Sequence, residues 1–247
     1  MLSRRLLPAV LAMSAAAAVA LTGPAQAANP SGGEIFVLHG LPGVVADVEI
    51  DGKSTKRQVE AGSIVGAIKV AAGQHKISLV GGDTTVSGTV NVTKGGSVDV
   101  VAHLPAEVDG KPRLTAFPND LSAVGRGKTR LSVAHTAQVP PADIRINGKA
   151  LLKNVANAEV LTVEVPKGTY TADIVATGTN GPAVFGPVDV AIKAGTLTRV
   201  FAFGSPSEGT MNVLVHPLAI PEQGANAPAS VQTGSGGQMA ALLAARR

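Results

Sequence analysis

The chain has no cysteine, no tryptophan and a single tyrosine among its 247 residues. Without cysteine no disulfide can staple a small fold and no lipobox thiol can take a lipid. Each domain must therefore stand on its own core. Without tryptophan, the aromatic platforms on which sugars stack are largely missing from the composition. Charge of one sign is missing as well. The formal net charge is +4, but Arg4 and Arg5 lie at the extreme start and Arg246 and Arg247 at the extreme end. Setting these four apart from the 21 basic residues leaves 17, equal to the 17 acidic ones. No basic stripe interleaved with aromatics remains, which excludes nucleic acid as a partner. Catalytic signatures are absent too: there is no Gly-x-Ser-x-Gly elbow, no His-Glu-x-x-His and no phosphate loop. No two carboxylates stand out as a hydrolase pair. The expectation is a protein that is not an enzyme and carries no cofactor.

The start of the chain is more explicit. Arg4-Arg5, the apolar run Leu6 to Leu21 and the small-x-small site Ala25-Gln26-Ala27 read as a secretory signal peptide over residues 1–27. The run is shorter than the roughly 20 residues a spanning helix needs, so no membrane span is expected once the leader is removed. The expected location is secreted or cell-wall associated. The remaining 220 residues suffice for two domains of ordinary size.

Those residues repeat themselves. Glu34-Ile35-Phe36-Val37-Leu38-His39 is followed by Ala46-Asp47-Val48-Glu49-Ile50-Asp51-Gly52-Lys53. Arg130-Leu131-Ser132-Val133-Ala134-His135 is followed, at the same spacing, by Ala142-Asp143-Ile144-Arg145-Ile146-Asn147-Gly148-Lys149. Both the histidines and the aspartates stand 96 positions apart. Further on, Lys94-Gly95-Gly96-Ser97 aligns with Lys193-Ala194-Gly195-Thr196, an offset of 99. Alternating runs such as Asp47-Val48-Glu49-Ile50 and Val188 to Ile192 read as half-buried strands. Asp51-Gly52 and Asn147-Gly148 read as tight hairpin turns. About seven such strands per copy predict an all-β chain of two tandem sandwiches. The expected boundaries are 34–118 for copy one, 119–129 for a linker and 130–218 for copy two. Residues 219–247, rich in Gly, Ala, Pro and Ser, read as a disordered tail.

Val133-Ala134-His135, Pro141 to Gly148, Pro166-Lys167-Gly168-Thr169-Tyr170 and Ala194-Gly195-Thr196 resemble, in this order, the domain of unknown function 4397 family of secreted actinobacterial proteins. Phe117-Pro118-Asn119-Asp120-Leu121-Ser122 resembles that family's joint between copies. Copy one departs at Gly43-Val44-Val45 and places His75 where Tyr170 stands. The resemblance implies an immunoglobulin-like or prealbumin-like sandwich and export, with no established activity.

His39 with Asp47, and His135 with Asp143, are the candidate site residues, since imidazole beside carboxylate suits a metal-ligand pair or a general base. Against this, a strand-end histidine can simply hold the loop that follows it, and two ligands fall short of a zinc set. His103 would add a third, but its counterpart at an offset of 99 is Ala202. Tyr170, after its Pro-x-Gly turn, reads as a corner tyrosine tying strands. Phe36, Phe117, Phe185, Phe201 and Phe203 lie in strand runs and read as core. The functional expectation is a non-catalytic exported module, monomeric, contacting a cell-wall polymer or another envelope protein. The alternative is an extracellular metal- or small-molecule-binding protein using the repeated His/Asp pairs.

Overall fold

The computed structural model describes residues 32–224, and the proposed leader and the chain beyond Gly224 lie outside them. Sixteen strands follow one another without a helix among the described residues. The first eight are β1 (Gly32–Gly40), β2 (Val45–Ile50), β3 (Lys53–Glu60), β4 (Ile64–Ala71), β5 (Gly73–Gly81), β6 (Thr84–Val92), β7 (Ser97–His103) and β8 (Arg113–Pro118). The second eight are β9 (Lys128–Ala137), β10 (Ala142–Ile146), β11 (Lys149–Val155), β12 (Val160–Pro166), β13 (Gly168–Ala176), β14 (Phe185–Ile192), β15 (Thr196–Gly204) and β16 (Asn212–Ala219). They form four sheets, in the orders β4-β1-β7-β8, β3-β2-β5-β6, β12-β9-β15-β16 and β11-β10-β13-β14. The second pair of sheets repeats the first, including a parallel central pairing, β1 with β7 and β9 with β15. Each sandwich thus has eight strands in a four-plus-four order. The sequence pattern predicts about seven strands per copy, and the structure has eight.

Period-2 alternation explains the layering. In β1, Ile35 and Val37 face the core of sandwich one, where they meet Val48, Ile77 and Leu79 of the opposite sheet. Phe36 and Leu38, pointing the other way, are buried as well. They pack with Val101 and Phe117 against Ala134, Phe201, Phe203 and Leu214 of sandwich two. The two sheets containing β1 and β9 are therefore covered on both faces, and the molecule has four layers. Every residue of β7 is buried, the polar Ser97, Asp99 and His103 included. Each phenylalanine in this central layer contributes about 1.5–3 kcal/mol by leaving water.

Both expected hairpin turns are present. Asp51-Gly52 has φ of 52° and 74°, and Asn147-Gly148 has φ of 50° and 76°, the two consecutive positive values a type I′ turn requires. The joint between sandwiches is pinned rather than loose. Arg130 donates to the carbonyls of Asp120, Ser122 and Ala123. Val124 is fully buried with Leu197 and Ile220. Residues 219–224, expected in the tail, are placed here too, since Val124 bridges Glu222 and Gln223 donates to the Val124 carbonyl. The apolar Ile220, 6 % exposed, supplies the reason.

One alignment is corrected. Gly95 and Gly195 both have positive φ, 69° and 65°, and donate to the matching carbonyls of Gly32 and Lys128 at 2.7 and 2.9 Å. The offset here is 100, not 99, because the turn geometry must coincide while a solvated lysine need not. His103 accordingly matches Phe203, not Ala202: Gly40 faces His103 as Thr136 faces Phe203.

Candidate functional site

The repeated aspartates sit opposite a repeated bulge. The β2–β3 register slips between Ala46 and Val48, and the β10–β11 register slips between Ala142 and Ile144. Each bulge holds a non-glycine residue at positive φ, Gln58 at 51° and Asn154 at 53°. A bulge leaves an amide without its ladder partner. Asp47 Oδ1 accepts the Gln58 amide at 2.9 Å, and Asp143 Oδ1 accepts the Asn154 amide at 2.8 Å. Asp143 Oδ2 also accepts the Gly178 amide at 3.1 Å. These two amides hold the Asp143 carboxyl below its ordinary range.

The histidines serve the connection after their strands. His39 Nδ1 accepts the Leu41 amide at 3.3 Å, and His135 Nε2 donates to the Pro140 carbonyl at 3.2 Å. Their backbones repeat as well: His39 and His135 donate to Ser63 and Glu159, and accept from Gly62 and Ala158. Burial lowers the pKa of both imidazoles. In neither copy do His and Asp bond each other, and each goes to its own backbone partner. Among the described residues no group of three His, Cys, Asp or Glu is arranged to hold a metal ion.

The corner residue survives a change of chemistry. Tyr170 donates its hydroxyl to the Pro166 carbonyl at 2.8 Å. His75, at the same place in copy one, donates from Nε2 to the Ala71 carbonyl at 2.9 Å. Its Nδ1 meets Asp51 at 2.8 Å, and that carboxylate raises the His75 pKa.

What sequence reasoning missed lies between the sandwiches. Asp99, fully buried, meets Arg199 Nε at 3.6 Å and His216 Nδ1 at 3.1 Å. Asn119 Nδ2 donates to Asp99 Oδ1 at 3.0 Å, and Arg199 Nη2 donates to the Pro118 carbonyl, while Arg199 Nε and Nη1 have no hydrogen-bond partner among the described residues. The Arg199 guanidinium lies 6.0 Å from the Phe117 ring centre, and the Phe36 and His216 rings are 4.4 Å apart. The strand registers make this cluster close to two-fold. Asp99 pairs with Phe117 across β7–β8, and Arg199 pairs with His216 across β15–β16. Equivalent positions of the two copies therefore carry opposite charges and meet each other. Burial lowers the Arg199 pKa, and Asp99 partly offsets this. The missing signal was the correct offset, which alone puts Asp99 and Arg199 at one position.

The second feature is an opening in sandwich two. A cavity of about 40 Å³ lies between its sheets, lined by side chains including Leu131, Ile144, Ile146, Tyr170, Ala172 and Val190. A cleft of about 280 Å³ opens beside it between β11 and β12.

Residues 33–142 match the family described as Domain of unknown function (DUF4397). The match to DUF4397 takes in sandwich one, the joint, β9 and the first residue of β10. It includes His39, Asp47, Asp99 and His135, and stops before Asp143, Arg199 and His216. No curated protein matches the chain.

Proposed function

We propose that this chain is an exported, monomeric, non-catalytic contact module, that sandwich two is a second DUF4397 copy, and that the partner is a cell-wall polymer or another envelope protein. The observation that carries this reading is the use of the repeated polar residues. The side-chain hydrogen bonds that His39, Asp47, His135 and Asp143 make go to a bulge and a strand connection, with His39 Nε2 and His135 Nδ1 left without a partner among the described residues, so what the duplication preserves is a frame. The Asp99–Arg199 contact then joins the two frames into one body. No helix among the described residues is long and apolar enough to cross a membrane.

The sheet edges narrow where contact can occur. Edge strand β3 carries Lys53, Lys56 and Arg57, and edge strand β14 carries Pro187. Lysines and prolines on an edge discourage pairing with another strand. Loops and outer faces are better suited. Val45 and Val80, 53 % and 37 % exposed on neighbouring strands, offer one apolar contact point on sandwich one, and Val108 in the β7–β8 loop is another. The test is to fractionate a producing culture and to mix the purified protein with isolated wall material. Retention in the wall fraction that Val45→Asp weakens is the expected outcome. A freely soluble protein that ignores the wall material defeats the proposal.

A further inference from the structure

Sandwich two is open where sandwich one is filled. The inward residues of sandwich one, Val37, Val48 and Val100, are 0, 0 and 2 % exposed. Their counterparts Val133, Ile144 and Val200 are 7, 6 and 9 % exposed. Ala172 contributes to the gap, because it stands where copy one has the fully buried Ile77. The resulting cavity of about 40 Å³ is walled by apolar side chains apart from Asp173, whose carboxylate is paired with Arg145, the kind of void that accepts apolar guests.

This cavity does not stand alone. Leu131, Ile146 and Tyr170 line both it and the outer cleft, so the two apolar voids are separated by no more than these three side chains. The cleft adds Ala150, Leu151, Val165 and Pro166, and its one charged wall residue is Lys149. Leu151 is 39 % exposed at this mouth. The cleft alone offers about 280 Å³, near the lower end of ordinary ligand pockets. That volume suits one medium-length alkyl chain. The tyrosine hydroxyl is already committed to Pro166, which leaves the Lys149 ammonium to meet a head group.

We propose that sandwich two binds a single medium-length alkyl chain bearing an anionic head, with the chain running from the cleft past Tyr170 toward the inner cavity and the head at Lys149. This site is independent of wall contact, so the two readings can fail separately. The test is calorimetric titration of the full mature chain with sodium decanoate and, in parallel, with decanol. Saturable one-site binding of decanoate is expected. Ala172→Ile should weaken both ligands at least tenfold by filling the inner cavity. Lys149→Gln should weaken decanoate several-fold and leave decanol nearly unchanged. Ala172→Ile adds bulk that copy one already accommodates, and its melting curve checks that the fold persists. No saturable binding by the parent chain, or binding indifferent to both substitutions, overturns the proposal. So does uptake that begins only after residues 225–247 are removed, since the chain's own apolar stretch Met239–Ala245 would then be the occupant.

Discussion

Acidification from pH 7 to pH 4 should weaken this fold steeply, and His103 allows the size of the loss to be worked out. Its side chain is fully buried, with Nδ1–H donating to the Leu104 carbonyl and Nε2 accepting from Thr115, both at 2.8 Å. Both bonds are satisfied by a neutral ring. Burial, helped by Arg113 and His135, lowers its pKa from 6.5 to about 4. The folded protein thus refuses a proton that the unfolded chain accepts below pH 6.5. Stability from this residue is complete above pH 6.5 and drains away as pH falls through about 4. A gap of about 2.5 units at 1.36 kcal/mol each comes to about 3.4 kcal/mol, a large share of the ~5–15 kcal/mol typical of a domain. His39 and His135, also lowered by burial, act in the same direction. His75 has the opposite sign, since Asp51 raises its pKa. Its contribution is present below pH 6.5 and lost as pH rises above its folded pKa. Asp51, Asp120 and Asp143, lowered from 3.8, lose their contributions only below about pH 4. Urea unfolding from pH 7 to pH 4 of the parent and His103→Gln is the assay. The variant's profile should be flatter by about 3 kcal/mol. Identical slopes, or a parent that gains stability on acidification, would refute the reasoning.

Three further outcomes follow from the packing. Ala172→Ile should raise the melting temperature, because filling about 40 Å³ returns about 1 kcal/mol at ~24 cal/mol per Å³, and a lower midpoint would mean that the space is not available. Asp143→Ala should cost about twice as much in chemical unfolding as Asp47→Ala, since one carboxylate accepts two amides and the other accepts one. Equal losses would contradict the assignment. His75→Tyr should fold with stability within about 0.5 kcal/mol of the parent at pH 8, as the hydroxyl can take over the Ala71 carbonyl that Nε2 now holds.

The elements that depend on local chemistry were legible in the sequence. Asp51-Gly52 and Asn147-Gly148 declare their turns, and the strand ending at His39 and its copy at His135 declare the duplication. The role of Tyr170 could be read from its Pro-x-Gly turn, though that of His75 could not, because an imidazole reaching the same carbonyl has no sequence signature. Phe36 and Phe201 were recognisable as buried but not as belonging to a layer between domains. Alternation shows only that a strand has two faces, and in β1 both are apolar. Asp99 escaped for a different reason. A charged residue inside a strand looks solvated until its partner, 100 positions on, is known to face it.

The claim that the two sandwiches form one body is tested most directly at that pair. In urea unfolding, Asp99→Arg should cost about 3–5 kcal/mol by burying two guanidinium groups together, and Arg199→Asp should cost as much by burying two carboxylates. The exchange Asp99→Arg with Arg199→Asp should recover at least half of either loss, because the positions are related by the near two-fold arrangement of β7 and β15. An exchange no more stable than the single reversals would contradict the account.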